Sequence, residues 1–512
     1  MRHPLHAARL LAPLLLTLAS PALDARVLAD ANEGSGSFAS SEATISAGGT
    51  HTCALLRDGG ATCWGSNKYQ ELGDRTLTLN RSTPVLVTGI DGATPSATAT
   101  QISSGDYHTC LVLETGAASC WGYNIFGQLG DGTLTSRLTA TTVWGLDGGP
   151  KSAKAVAISA GSDHTCAVLS TGGATCWGNN SVGRLGNENV VGDSSTPVPV
   201  TGIDGSTDAT FAVAISASSS HTCALMRTGA IRCWGYNGSG ELGDDTTVNR
   251  STPVLVLGVD GSIPSATAVA ISVGSSHSCA VMRTGGVMCW GFNAYGKLGD
   301  ATTVNRTKPV PVSGLGGAND AFAAVAISAG DAHTCAVLTT GRATCWGYNA
   351  YGELGNANTA TSSIPVAVSG VDGATASSSA VAISVGVSHT CAVLKTGHVT
   401  CWGYNGTGEL GDDTIENRSK QREVSRLSLT VATARRAPIG GARHASTSAA
   451  SQRSGPGAHG STSGLTPTTM ALLGAGLVGL AALMSRADRR PNRRRNRRKP
   501  RRHMRQRRSG TV

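Results

Sequence analysis

The chain has 512 residues and a formal net charge of +10, with 67 glycines, 14 cysteines and 4% aromatic residues. That length suits several domains or one repeat array, and so much glycine suits short strands joined by tight turns. The charge does not make it a nucleic-acid binder: residues 33–426 hold 21 Lys and Arg against 29 Asp and Glu, while residues 486–508 hold 14 basic residues against one acid.

In chain order, residues 1–25 come first. Arg2 and Arg9 precede the apolar run Leu10–Leu18, and small residues follow at Ser20-Pro21-Ala22 and Leu23-Asp24-Ala25. This is the pattern of a signal peptide, so export is expected.

From residue 41 to 430 one unit is written seven times. It runs I-S-x-G-x-x-H-T-C-A-V-L-x-T-G-x-A-T-C-W-G-Y-N-x-x-G-x-L-G-D, anchored on His51, His108, His164, His221, His277, His333 and His389. Successive histidines lie 56 or 57 residues apart, which leaves no room for an inserted domain. In the third unit, residues 155–159, 164–169, 174–177 and 196–200 form four short strand patterns, the last with proline suited to an edge. The Ser170-Thr171-Gly172-Gly173 link has the glycine placement of a hairpin. Four strands per unit, seven units and no helical period predict an all-β, seven-bladed β-propeller of about 56 residues per blade. A solenoid is the alternative, but it would need polar capping repeats. Gln421–Leu427 (QREVSRL) replaces the usual T-P-V-x-V fourth strand, so ring closure is the weakest point of the prediction.

These units resemble the regulator of chromosome condensation repeat. The matching elements are G-x-x-H-T and W-G-x-N-x-x-G-x-L-G-D, the second clearest from Trp121 to Asp131. The resemblance implies a seven-bladed propeller over about residues 41–430.

All 14 cysteines belong to the repeat, as Cys53/Cys63, Cys110/Cys120, Cys166/Cys176, Cys223/Cys233, Cys279/Cys289, Cys335/Cys345 and Cys391/Cys401. A hairpin turn at Thr171-Gly172 sets Cys166 directly opposite Cys176, within reach of a bridge. Export favours disulfides, each contributing roughly 2–3 kcal/mol on the chain-entropy view. Metal binding by His-x-Cys is the rival, although C-x9-C is not a zinc spacing. The seven histidines recur once per blade, as a side chain that satisfies a backbone group would. The Asp of L-G-D becomes Asn187 and Asn356 in two repeats, which points to turn chemistry rather than catalysis.

Departures from the repeat are the candidate binding positions. The variable pair before the second glycine of N-x-x-G supplies Tyr69, Phe126, Tyr295 and Tyr351, which should share one rim. Trp144 stands outside the pattern, where its counterparts are Thr88 and Thr201. Two readings stand for these rings: filling gaps between blades, or offering a contact surface.

After the repeats, residues 431–467 are rich in Ala, Ser, Gly, Thr and Pro, the composition of a flexible stalk. Residues 468–485 enclose the uncharged run Met470–Met484, a marginal transmembrane helix, and the Arg-rich block 486–512 behind it marks the cytoplasmic side. The order of stalk, apolar run and basic tail resembles bacterial surface anchors, but Leu465-Thr466-Pro467-Thr468-Thr469 is not the sortase motif Leu-Pro-x-Thr-Gly.

The expected protein is therefore a cell-surface, non-catalytic binding scaffold whose partner is an extracellular protein or glycan. No cofactor, metal or nucleic acid is expected. An inhibitor of extracellular enzymes is the alternative. Guanine-nucleotide exchange on a small GTPase, implied by the resemblance, fits poorly with export and disulfides.

Overall fold

The computed structural model describes residues 45–316 and 320–428. The signal-peptide, stalk, transmembrane and Arg-rich segments expected from the sequence lie outside these residues. Among the described residues, no helix is long and apolar enough to cross a membrane.

Among the described residues, twenty-eight strands form seven four-stranded antiparallel sheets, each from one repeat. The first blade comprises β1 (Ile45–Ala47), β2 (His51–Leu55), β3 (Gly60–Ser66) and β4 (Asn80–Asp91), and the next five blades follow the same order. The seventh comprises β25 (Ala380–Val385), β26 (His389–Leu394), β27 (His398–Gly403) and β28 (Arg418–Ser428). In the third blade the strands are Ala155–Ala160, His164–Leu169, Gly173–Gly178 and Ser194–Asp204, close to the expected ranges. Second and third strands are buried almost throughout, because a neighbouring blade covers each face. Fourth strands are only half-buried, and proline is tolerated there because one edge has no strand to pair with.

Each hydrophobic core straddles a junction. Trp121 packs among Cys53, Leu55, Leu72 and Leu111, so the tryptophan of the second blade fills the core of the first. Trp64 does the same for the seventh blade, with Cys391, Val393, Leu410 and Val424. The glycine after each tryptophan is required by space: Gly122 has φ +104°, and a Cβ there would lie 2.7 Å from the Tyr107 carbonyl.

The cysteines pair as expected. The bridges are Cys53–Cys63, Cys110–Cys120, Cys166–Cys176, Cys223–Cys233, Cys279–Cys289, Cys335–Cys345 and Cys391–Cys401, with Cα–Cα separations of 4.0–4.1 Å. In every blade the second-strand cysteine faces its third-strand partner in directly opposed register. All of them are fully buried. Cys63, Cys120, Cys176, Cys233, Cys289, Cys345 and Cys401 each precede the blade's tryptophan and sit with their partners in the junction cores. They are therefore core residues that staple the central hairpin, and no part of a binding surface. With every thiol bridged, the His-x-Cys metal alternative has no thiolate to use.

The ring closes without exchange of a strand between its ends. Ser46 Oγ accepts the Ser104 amide, and the same bond recurs from Ser103, Ser159, Ser216, Ser272, Ser328 and Ser384 to the next blade, at 2.8–3.0 Å. The last of these, Ser384 to the Ala47 amide, joins the seventh blade to the first. The divergent Gln421–Leu427 segment still forms the fourth strand, with Arg422 opposite Cys401 and Glu423 opposite Thr400. A strand ladder needs backbone groups and a buried inner face. Val424 and Leu427 supply that face here.

Candidate interaction face

The seven histidines hold the junctions together. His51 Nε2 lies 2.8 Å from Thr109 Oγ1 in the next blade, and the same histidine–hydroxyl contact is made at all seven junctions at 2.7–2.8 Å, with Ser278 in place of threonine at one, ending with His389 on Thr52. Thr109 Oγ1 donates its own proton to the Glu71 carbonyl, so it must accept from the histidine. Trp121 Nε1 donates to that same carbonyl at 2.7 Å. Burial drives the imidazoles far below their ordinary pKa, to about 3 for His51 and His108, which keeps them neutral. The histidine thus satisfies a hydroxyl, and the hydroxyl and the indole satisfy the backbone. This refines the expected role and occupies all seven rings structurally.

The L-G-D aspartates are also structural. Asp74 accepts from the Thr76 amide and hydroxyl and pairs with Arg81 at 3.0 Å. Asp131, Asp244, Asp300 and Asp412 pair likewise with Arg137, Arg250, Arg306 and Arg418. Where the aspartate becomes Asn187 or Asn356, the arginine position holds Ser194 or Ser362. Charge is lost on both sides together.

Antiparallel up-and-down blades send the loop after the first strand and the loop after the third strand to the same end of the propeller. On this loop face, residues that include Gly48, Ser104, Asp106, Ser162, Ser219 and Asp331 surround a narrow axial cavity of about 90 Å³. Ser162 Oγ donates to the Asp106 carboxylate. Burial raises the Asp106 pKa, and the nearby Asp331 and Asp163 charges add to the rise against the opposing Ser162 bond.

Outside the axis lie two tyrosine clusters. Tyr69 meets Tyr107 and Tyr123 with ring centroids 5.2 and 4.9 Å apart. Tyr295, Tyr348, Tyr351 and Tyr404 form a chain across three blades, with successive centroids at 5.0, 6.4 and 5.2 Å. Tyr295 and Tyr351 are 51% and 41% exposed, so these rings pack edge-to-face and still present surface. Tyr295 also holds φ +66°, a strained conformation for a bulky residue.

Buried side chains fix the backbone under these rings. Glu71 Oε2 accepts the Tyr69 amide at 2.7 Å and Glu353 Oε2 accepts the Tyr351 amide at 2.9 Å. Glu241 and Glu409 do the same for Ser239 and Thr407, and Gln128 for Phe126. Burial raises the pKa of all four glutamates, Glu71 to about 7. The other oxygen of Glu71, Glu241 and Glu353 is buried without a hydrogen-bond partner. Arg184 and Lys297 occupy the same repeat position. Lys297 Nζ donates to the Asp331 carbonyl at 2.7 Å, and burial lowers its pKa to about 8.

Of the five sequence-derived rim residues, Tyr295 and Tyr351 join one cluster through Tyr348, and Tyr69 belongs to the other. Phe126 is half-buried on the same N-x-x-G loop of the second blade. Trp144 joins neither cluster: it follows the outer strand Arg137–Thr142, is 68% exposed, and its ring stands beside Gly132 in the loop that precedes that strand. Tyr107, Tyr123, Tyr348 and Tyr404 were missed. The residue after W-G is Tyr123, Tyr236, Phe292, Tyr348 or Tyr404 in five of the repeats, and that column carried the signal for three of them; Tyr107 stands instead just before His108.

A closed, disulfide-bridged seven-bladed propeller whose loop face carries clustered tyrosines is a scaffold of the binding or regulatory class. Six stretches, 58–112, 116–168, 172–225, 229–281, 284–337 and 340–393, match the regulator of chromosome condensation (RCC1) repeat, and a second form of the repeat matches seven times between 43 and 409. The chain belongs to the RCC1 repeat family. It is 28% identical over 386 residues to the ultraviolet-B receptor UVR8 of Arabidopsis thaliana, covering 75% of this chain and 82% of that one. It is 29% identical over 352 residues to the human probable E3 ubiquitin-protein ligase HERC6, but spans only 30% of that protein. Among solved structures, human WBSCR16 aligns with a TM-score of 0.61 at 20% identity, over 71% of this chain and 92% of that one. Prp20p of Saccharomyces cerevisiae, described with its binding to Gsp1p and histones, aligns with a TM-score of 0.60 at 20% identity, over 71% and 85%.

Proposed function

We propose that the chain is an exported, non-catalytic propeller, held at the cell surface by its apolar segment 468–485, which recognises a protein partner through the tyrosine-lined loop face. The observation that carries this reading is the Tyr295–Tyr348–Tyr351–Tyr404 chain, half-exposed and braced by buried glutamate. Rigid amphipathic rings of this kind supply contact area at little entropic cost. Seven buried disulfides support an oxidising compartment, since cytosolic thiols are kept reduced. Protein binding by an RCC1-type propeller has a parallel in Prp20p, whose described binding is to Gsp1p and histones.

The test is capture from cell-surface and secreted fractions with the full chain, beside a Tyr295→Ala/Tyr351→Ala variant. The reading expects a partner recovered by the parent and lost from the variant, with both proteins melting alike. Equal recovery by the two would end it.

A further inference from the structure

At the opposite end of the propeller, under the Lys395–Gly397 hairpin, the seventh blade has a pocket of about 270 Å³. It is lined by Leu394, Thr396, His398, Val399, Gln421 and Glu423, among others. Three of these residues break the repeat. His398 stands where other blades have Gly60, Ala117, Gly173, Ala230, Gly286 and Arg342, and Gln421 and Glu423 replace the proline and apolar residues of the usual strand.

The polar groups are held in place. His398 Nδ1 lies 2.5 Å from Glu423 Oε1, which orients both side chains across the β27–β28 pair. The Gln421 amide lies over Gly370 of the preceding blade, where a Cβ would collide with its Nε2. The equivalent glycines Gly89, Gly145, Gly202, Gly258 and Gly314 have nothing within 4 Å of that Cβ position. Gln421 Oε1 is left buried without a partner. An unpaired buried carbonyl is costly, and no other blade places one here.

We propose that this pocket binds a neutral, polyhydroxylated ligand, a single sugar residue of a glycan. Glu423 Oε2 and the Gln421 carbonyl accept from hydroxyls, His398 Nε2 accepts while its Nδ1–H is given to Glu423, the Thr396 hydroxyl donates, and half-buried Leu394 offers apolar surface to the ring's C–H face. The Glu423 carboxylate disfavours an anion. A wholly apolar ligand would leave Gln421 Oε1 unpaired. An ammonium ligand would pair with Glu423 Oε2 but would offer no acceptor to the Thr396 hydroxyl. The site does not depend on the tyrosine face, which lies at the other end.

The test titrates the full, disulfide-intact chain with free glucose, galactose, mannose and N-acetylglucosamine by saturation-transfer NMR, beside Glu423→Ala, Gln421→Ala and Tyr351→Ala variants. Saturable binding of at least one sugar is expected, weakened about tenfold or more by Glu423→Ala, as for loss of a hydrogen bond to a charged group, and also weakened by Gln421→Ala. Tyr351→Ala should bind as the parent does. Absence of saturable binding by all four sugars would overturn the proposal, as would equal binding by the Glu423 variant or saturable binding of methylammonium or acetate instead. Loss of partner capture by Tyr351→Ala with sugar binding intact separates this site from the loop face.

Discussion

Glu71→Gln should make the propeller more stable above neutral pH and flatten its dependence on pH. The Glu71 side chain is fully buried, one oxygen holds the Tyr69 amide, and the other has no partner. Burial raises its folded pKa from 4.5 to about 7. The folded state therefore binds the proton more tightly than the unfolded chain does. Stability from this group is fully present below pH 4.5, falls as the pH rises, and has been lost a little above pH 7. At about 1.4 kcal/mol per pKa unit, the loss is about 3 kcal/mol. Glutamine keeps the acceptor, as Gln128 does at 3.0 Å from the Phe126 amide in the second blade, and carries no charge at any pH. Denaturant unfolding of both proteins at pH 4.5, 6, 7 and 8, with disulfides intact, measures the difference. The variant should gain on the parent by about 3 kcal/mol between the lowest and highest pH. Parallel curves would refute the assignment of Glu71 as a buried, destabilising carboxylate.

Other parts of the fold make their own predictions. Thr165→Val removes the hydroxyl that accepts from His108 and donates to the Gln128 carbonyl, leaving a buried imidazole N–H unpaired; a loss of about 1–3 kcal/mol is expected by thermal unfolding. Arg426 holds φ +60° where six other repeats have glycine, so Arg426→Gly should gain about 1 kcal/mol, and Gly258→Ala, with open space around its Cβ, should lose about as much. Asp244→Asn and Arg250→Ser should couple in a double-mutant cycle by a few tenths to about 1 kcal/mol, since the arginine is partly exposed; blades three and six already carry the double change.

The blade count and the bridges were legible in the sequence because every repeat must fill the same junction. Trp177, Cys166 and Cys176 cannot vary without opening a core, so they recur on a fixed period. The partner of His164 was not legible. It is Thr222, one blade further on, and that pairing follows only once the offset between neighbouring blades is known. The tyrosine face was half legible for the same reason. Tyr295 and Tyr351 share one repeat column, but Tyr348 and Tyr404 come from another, and the two columns meet only across blade boundaries. Trp144 differed from its repeat column as clearly as any tyrosine, yet sequence difference did not reveal which surface it occupies. Closure at the seventh blade depends on Ser384 and Thr52 contacts that match every other junction, whereas the divergent strand lies on the outside, where sequence constraint is weakest.

Site-specific photo-crosslinking on the native cell surface tests the functional account most directly. A benzophenone side chain would replace Tyr351 in one protein and Trp144 in another. Trp144 is the more exposed of the two, at 68% against 41%, so accessibility alone favours it. The account predicts a discrete protein adduct from position 351 and none from position 144. Adducts of the same protein from both positions, or from position 144 alone, would contradict recognition through the tyrosine face.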